Sequence, residues 1–95
     1  LQETALPVNP AVSGACAILG LDPLFVANEG KLLAFVAAEA AELALGIMQN
    51  HVYGKQAAII GEVTSPAAGK VRLQTAIGGL RAIEMLAGEQ LPRIC

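Results

Sequence analysis

The side chain with the clearest chemical potential is the thiol of Cys95, which stands at the last position of the chain. A cysteine thiolate is a nucleophile, and a thiol on an exposed segment can enter a partner's active site. Residues 87–95 have no usable apolar period, so we expect them to form a flexible tail. The alternative is that the Cys95 thiol is incidental and has no role in chemistry. A prenylation site is excluded, because its cysteine would lie four residues from the end.

The other candidate residues favour structural roles. Cys16 falls on the apolar face of a predicted helix, where a small core residue is expected. His51 is the single histidine, and a metal site needs clustered ligands, so we expect no metal. Glu39 and Glu42 are expected on a solvated helix face. The pair Gly78-Gly79 lacks the following Lys and Ser or Thr of a phosphate-binding loop, which disfavours a nucleotide-binding enzyme in its own right.

Composition limits the class of protein. The chain has 95 residues, 55% of them apolar, and a net charge of −2. This suits one packed domain and gives no basic stripe for nucleic acid. No apolar run approaches the ~20 residues of a membrane span, and no signal peptide is evident. We expect a cytoplasmic protein with reduced thiols. Because the first residue is Leu and not Met, we expect a processed product or a fragment.

Two helices are predicted. The first covers residues 10–19, with Asn9 as its amino-terminal cap, Pro10 at the first helical position and Gly20 ending it in a left-handed conformation. The second covers residues 38–50. The predicted apolar faces are Val12, Cys16 and Leu19 in the first helix, and Ala40, Leu43, Ala44, Ile47 and Met48 in the second.

Six short segments have the composition of strands, and they lie at residues 4–8, 24–28, 31–36, 57–64, 71–75 and 80–86. Residues 57–64 and 71–75 are predicted to form a hairpin across the turn at 65–69. The order β-α-β-β-α-β-β-β predicts an α+β fold with helices packed on a mostly antiparallel sheet.

Several ordered motifs resemble one family. The terminus Leu91-Pro92-Arg93-Ile94-Cys95 is similar to the P-R-I-C ending of the HypE family of hydrogenase maturation factors. Four further stretches resemble segments of that family: Leu19-Gly20-Leu21-Asp22-Pro23-Leu24, Val26-Ala27-Asn28-Glu29-Gly30-Lys31, Ile60-Gly61-Glu62-Val63 and residues 85–92. The resemblance runs from about Pro7 to Cys95 and so covers nearly the whole chain.

The resemblance implies a fold and an activity. It implies part of an AIR-synthetase-type carboxy-terminal domain with partly ferredoxin-like topology, here residues 1–86, followed by the tail 87–95. The intact protein would be a dimer whose amino-terminal domain binds ATP. It would act as an ATP-dependent carbamoyl dehydratase, with Cys95 carrying a carbamoyl group loaded by the carbamoyltransferase HypF. The thiocyanate formed would deliver cyanide to iron on a HypC–HypD complex, for the NiFe site of a hydrogenase.

The resemblance also implies roles for residues near the motif A-N-E-G. Glu29 would be the base that removes the amide proton, since it matches the glutamate of that motif. From the residues alone, a solvated turn residue before Gly30 is the alternative. A carboxylate works better as a base when burial raises its pKa toward neutrality. Asn28 would orient the same site. Arg93 would guide the tail into an anionic pocket, with a simply solvated side chain as the alternative. We expect Gly30 to adopt a conformation that disfavours a side chain. The alternative to the whole interpretation is a non-catalytic interaction module that adds a strand to a partner.

Overall fold

The computed structural model describes residues 1–65 and 68–85. Within this part the chain forms two compact units. One comprises Leu1–Pro7 and Ala34–Glu84, and the other comprises Val8–Leu33 with Met85. The predictions for Leu86, for the tail 87–95 and for Cys95 and Arg93 lie outside the described residues.

The unit at Val8–Leu33 is built on helix α1, Pro10–Leu19. The Asn9 side chain accepts a hydrogen bond of 2.9 Å from the Ala11 amide and caps the helix, while Pro10 needs no partner for a missing N–H. Gly20 ends the helix at φ 69°, and the Cys16 carbonyl accepts from the amides of both Gly20 and Leu21. The predicted bounds, cap and terminator of this helix are confirmed.

Helix α2, Ala41–Asn50, follows a 3₁₀ turn at Ala38–Ala40. Together these two elements cover the predicted helix at 38–50. The half-buried positions are Ala41, Ala44, Leu45 and Met48. Leu43 is 70% exposed and Ile47 is 64% exposed, so the prediction that both belong to the inward face was wrong. The helix carries apolar residues on two sides, and periodicity alone does not select between them.

The sheet consists of strand β1, Val71–Gln74, and strand β2, Leu80–Ile83, paired antiparallel. A tight loop joins them, in which the amide of Thr75 donates to the Gly79 carbonyl at 2.8 Å. Leu73 is 1% exposed and is the most deeply buried side chain of the described residues. With two helices and an antiparallel sheet, the α+β fold class is confirmed.

The first residues of the chain lie beside this hairpin. The amino group of Leu1 donates to the Arg72 carbonyl at 2.7 Å, and the Gln74 amide donates to the Leu1 carbonyl at 2.9 Å. On its other side, the Gln2 amide donates to the Ile60 carbonyl at 2.8 Å. Leu1 and Gln2 therefore lie between β1 and the segment around Ile60.

Four predicted strands were wrong. Residues 4–8 and 24–28 instead overlap 3₁₀ turns at Glu3–Ala5 and Pro23–Phe25, and residues 31–36 and 57–64 have no regular structure. The predicted hairpin partner was also wrong, because β1 pairs with Leu80–Ile83 and not with residues 57–64. An apolar run becomes a strand only when a neighbouring backbone completes its hydrogen bonds.

The core of the described part is small. Cys16 and Leu73 are its buried hydrophobic residues, whereas large apolar side chains on both helices and on the hairpin are exposed. Native domains seldom leave so much apolar surface in water. In the part of the chain that the structure describes, no helix is long and apolar enough to cross a membrane.

Candidate functional site

The candidate catalytic carboxylate, Glu29, lies in the loop of residues 26–30, which we call the Glu29 loop. The loop follows the 3₁₀ turn Pro23–Phe25, which helix α1 contacts. The Asp22 side chain fixes this turn by accepting a hydrogen bond of 3.0 Å from the Leu24 amide. Pro23 at the first helical position and the capped end of α1 restrict the backbone that leads to Glu29.

The conformation of the Glu29 loop depends on its glycine. Gly30 has φ 71°, in the left-handed region that side chains disfavour, so the prediction for this position is confirmed. A Cβ atom at Gly30 would meet nothing within 4 Å, so the requirement for glycine is one of backbone conformation and not of space. Asn28 and Glu29 are both exposed. Their amide and carboxylate groups are accessible to a reactant that approaches from outside.

The other two predicted site residues, Cys95 and Arg93, lie outside the described residues. The structure thus describes Asn28, Glu29 and Gly30, which are neighbours in sequence. That Glu29 acts on a group carried by Cys95 stays a prediction. An exposed carboxylate can act as a base once the reacting amide is placed within hydrogen-bond reach of it.

The second cysteine, Cys16, is buried and so is not accessible to an external reactant. Cys16 is 5% exposed within helix α1 and forms no disulfide among the described residues. The prediction that it is a small core residue is confirmed. A thiol so enclosed is a poor nucleophile toward an external partner.

His51 ends helix α2 and makes a local contact. Its backbone is extended at φ −79°, ψ 146°, and its Nδ1 atom accepts a hydrogen bond of 3.2 Å from the Tyr53 amide. Within residues 1–65 and 68–85, no group of three or more His, Cys, Asp or Glu could hold a metal ion.

The glycine pair of the hairpin loop has its backbone groups engaged internally. The Gly79 amide donates to the Thr75 hydroxyl at 2.9 Å, and the Gly79 carbonyl accepts from the Thr75 amide. The Gly78 amide donates to the Thr75 carbonyl at 3.0 Å. A phosphate cradle needs such amides to point outward toward the ligand. The described residues of this loop thus do not fit a nucleotide phosphate.

Sequence reasoning missed two positioning residues. The Glu3 carboxylate accepts a hydrogen bond of 2.6 Å from the Ala76 amide and so ties the start of the chain to the hairpin loop. No local pattern signals this pair, because its members are distant in sequence. The cap at Asp22 carried a usable signal, since Asp followed by Pro at a first helical position is a typical start of a helical turn.

Comparison with protein-family models identifies the family of this domain. Residues 3–74 match the model described as AIR synthase related protein, C-terminal domain. The chain belongs to this family. The match includes both helices, the Glu29 loop and strand β1, so the Glu29 loop is part of the family domain.

Related proteins extend the comparison to the whole chain. The chain is 52% identical over 95 residues to a protein of Rhodobacter capsulatus named carbamoyl dehydratase HypE. That match covers 100% of this chain but 28% of the relative. The family member described here therefore spans less than a third of the length of that curated relative.

Comparison with solved structures finds proteins of the same name. A crystal structure of the hydrogenase maturation protein HypE superimposes with a TM-score of 0.90 at 50% identity, covering 100% of this chain and 32% of that one. A structure of HypE in complex with ATP gives a TM-score of 0.89 at 48% identity, covering 100% and 30%. A HypE–HypF complex gives 0.80 at 43% identity, covering 87% and 27%.

Proposed function

We propose that this chain is part of an ATP-dependent carbamoyl dehydratase that acts in hydrogenase maturation, with Cys95 as its covalent carrier. The observation that carries this proposal is the 52% identity to a carbamoyl dehydratase HypE across all 95 residues, a span that includes Cys95. Identity at this level over 100% of the chain supports a shared activity for the longer protein to which such a segment belongs.

The proposed chemistry begins with a thiol ester of carbamic acid. A carbamoyltransferase of the HypF type places a carbamoyl group on the Cys95 sulfur, giving S–C(=O)–NH₂. The structure solved as a HypE–HypF complex supports this partner. A tail of residues 87–95 would let the thiol leave one active site and enter another, because an extended stretch of that length reaches about 30 Å.

Dehydration then removes the elements of water. ATP supplies a phosphoryl group to the amide oxygen, which turns a poor leaving group into phosphate. Loss of the remaining proton on nitrogen and departure of phosphate leave S–C≡N on Cys95. The HypE structure with ATP supports this co-substrate, and the part of the protein beyond this chain would bind it. The cyano group would pass to iron on a HypC–HypD complex, for a NiFe site.

Glu29 is the proposed base for the loss of the proton from nitrogen. Its support is its exposed carboxylate and its place in the Glu29 loop, which lies within the family domain and ends at Gly30 in a left-handed conformation. Asn28 would orient the amide from the adjacent position, and Arg93 would guide the tail. We place the domain at residues 1–86 and the tail at 87–95, and we assign the intact protein to the cytoplasm as a homodimer.

The experiment that tests the carrier role is intact-mass analysis of the full-length protein after incubation with the carbamoyltransferase, carbamoyl phosphate and ATP. We expect a mass gain of one carbamoyl group, converted to a cyano group when dehydration proceeds. Cys95→Ala should abolish the gain, whereas the matched variant Cys16→Ala should keep it, because Cys16 is buried in helix α1. An adduct that persists in Cys95→Ala would refute the carrier assignment.

A second candidate function is a non-catalytic interaction module. It is favoured by the exposed apolar side chains of helix α2 and the hairpin, including Leu43, Ile47 and Leu80. Open strand edges and apolar faces of this kind pair readily with other chains. Full-length protein that binds its partner but gains no carbamoyl mass would support this candidate over the dehydratase.

A further inference from the structure

Two opposite charges flank the left-handed glycine of the Glu29 loop. Glu29 precedes Gly30 and Lys31 follows it, and both charged side chains are exposed. Lys31 is the single positively charged side chain in the sequence of residues 8–33. Among residues 1–65 and 68–85, no ion pair joins Glu29 to Lys31. The carboxylate and the ammonium group are therefore both available to a reactant.

The spacing of the two residues keeps their charges within reach of one small reactant. Two residues of extended chain span at most about 7 Å between Cα atoms, and the chain bends at Gly30, which shortens that distance. A Cβ atom at Gly30, where φ is 71°, would meet nothing within 4 Å. There is thus room for a reactant beside the bend, between the carboxylate and the ammonium group.

Hydrogen bonds hold the backbone that leads to this pair of charges. The Phe25 amide donates to the Asp22 carbonyl at 3.0 Å, and the Val26 amide donates to the Pro23 carbonyl at 3.4 Å. The Glu29 loop begins at Val26 and so starts from a fixed turn. A charge on a backbone that is already held costs less ordering when a reactant binds beside it.

The proposed dehydration includes a step that needs a cation as well as a base. After phosphorylation, the Cys95 sulfur carries the group –C(=NH)–O–PO₃²⁻. When the base takes the proton from nitrogen, the electron pair of that N–H bond completes the C≡N bond. The C–O bond then breaks, and its electron pair remains on the phosphate oxygen. The phosphate departs with an additional negative charge, which a lysine ammonium group can offset.

We propose that Lys31 is a further catalytic residue, whose ammonium group binds the oxygen atoms of the departing phosphate while Glu29 removes the proton from nitrogen. The reacting nitrogen and the oxygen that bears the phosphate share one carbon atom, so the base and the cation must lie close together. Glu29 and Lys31, on either side of Gly30, meet this requirement. The assignment rests on the proposed dehydratase function and deepens it, because it divides the elimination step between two residues.

The test uses full-length protein carbamoylated on Cys95 and mixed with ATP and isotope-labelled ADP. Intact-mass analysis measures formation of the cyano adduct, and transfer of label from ADP into ATP measures reversible phosphorylation of the carbamoyl oxygen. Lys31→Ala should slow cyano formation by roughly 10²-fold, the usual effect of losing one group that stabilises a developing negative charge. The label transfer should continue, because phosphorylation precedes the departure of phosphate.

Three further samples distinguish catalysis from a structural role. Lys31→Arg should recover part of the cyano formation, because arginine keeps the positive charge and the N–H donors. Methylammonium added to Lys31→Ala should raise the rate with concentration, whereas tetramethylammonium, which has no N–H, should not. Lys55→Ala is the matched control, since Lys55 is an exposed lysine outside residues 8–33, and it should keep both activities.

Three results would overturn the assignment of Lys31. The first is full cyano formation in Lys31→Ala, and the second is an equal loss of cyano formation and label transfer. The third is a loss that neither Lys31→Arg nor methylammonium reverses. Wild-type carbamoylated protein that forms no cyano adduct with ATP would instead refute the dehydratase function, and the assignment of Lys31 with it. Cyano formation that is equal in the wild type and in Lys31→Ala would refute the assignment alone.

Discussion

A Cβ atom on Gly61 would lie 3.0 Å from the Cα atom of Leu1, although the two residues are distant in sequence. This approach fixes how closely the start of the chain packs beside the segment that carries Ile60. The contact is to backbone, which cannot rotate away as the end of a flexible side chain could. A side chain at position 61 would therefore press on the Leu1 backbone, so space favours glycine there.

The first prediction follows from this contact. Gly61→Ala should destabilise the full-length protein by about 1–2 kcal/mol, because the added methyl group forces the Leu1 backbone away from Ile60. Gly46→Ala is the matched control, since Gly46 lies inside helix α2 with nothing within 4 Å of its Cβ position. The control should stabilise by up to about 1 kcal/mol. Urea unfolding measures both, and equal effects of the two substitutions would contradict the close approach.

Features that depend on neighbouring residues in the chain were predictable from sequence, and features that depend on distant residues were not. Helix α1 was predicted to the residue, because Asn9, Pro10 and Gly20 satisfy or terminate helical hydrogen bonds within a few positions. The left-handed Gly30 was predictable for the same reason. The apolar face predicted for helix α1 was right at Cys16 but wrong at Val12 and Leu19, which are 45% and 66% exposed, because burial depends on residues distant in sequence.

The predictions of strands at residues 31–36 and 57–64 were wrong, because a strand depends on hydrogen-bond partners that the sequence pattern does not identify. The single backbone bond recorded to residues 57–64 from outside the local turn is that from Gln2 to Ile60, within the described part of the chain. β1 instead pairs with Leu80–Ile83, where Thr75, Gly78 and Gly79 form a tight loop. The link between Glu3 and Ala76 was unpredictable for the same reason.

The second prediction concerns the backbone next to the candidate base. Gly30→Ala should destabilise by roughly 1–2 kcal/mol, because its φ of 71° is costly for a residue with a Cβ atom. Gly30→Asn should cost less, since asparagine tolerates the left-handed region. There is room for either side chain near the Cβ position. Thermal unfolding of both variants checks the order, and an equal or larger loss for Asn would show that space and not conformation decides.

The third prediction tests Glu29 as a base. Glu29→Gln in the full-length protein should slow dehydration by about 10²–10⁴-fold, because the amide cannot take up a proton. Carbamoylation of Cys95 should persist, so the carbamoyl adduct accumulates while the cyano adduct is lost. Glu39→Gln is the control, since Glu39 is an exposed glutamate at the start of a helical turn. Full dehydration activity in Glu29→Gln would remove the base role and leave the carrier role intact.

The fourth prediction tests whether this chain binds ATP by itself. ATP should not raise the melting temperature of the isolated chain, because the glycines of the hairpin loop bond to Thr75 and offer no phosphate cradle. ATP should raise that of the full-length protein, since a ligand that binds only the native state stabilises it by mass action. Differential scanning fluorimetry over a range of ATP concentrations measures both. A shift in the isolated chain equal to that in the full-length protein would place the nucleotide site within these residues.

The last prediction concerns self-association. In the isolated chain, the Lys70 carbonyl and the Arg72 N–H point to the edge of β1 that also bonds Leu1, and open strand edges pair with other chains. We therefore expect the dimer fraction in light scattering to rise with concentration. Arg72→Pro removes the N–H at this edge and should shift dimerisation to higher concentration, whereas Arg72→Ala keeps that N–H and should not.

Arg72→Pro is informative because the Arg72 N–H points toward Leu1 and not toward β2, so the hairpin itself keeps its hydrogen bonds. A monomer at every concentration would show that the edge does not pair. A dimer that both variants weaken equally would implicate the Arg72 side chain, and a dimer that neither weakens would place the interface elsewhere, for example on the exposed Leu43 and Ile47 of helix α2. The contrast between the two substitutions thus separates backbone pairing from the burial of apolar side chains as the cause of association.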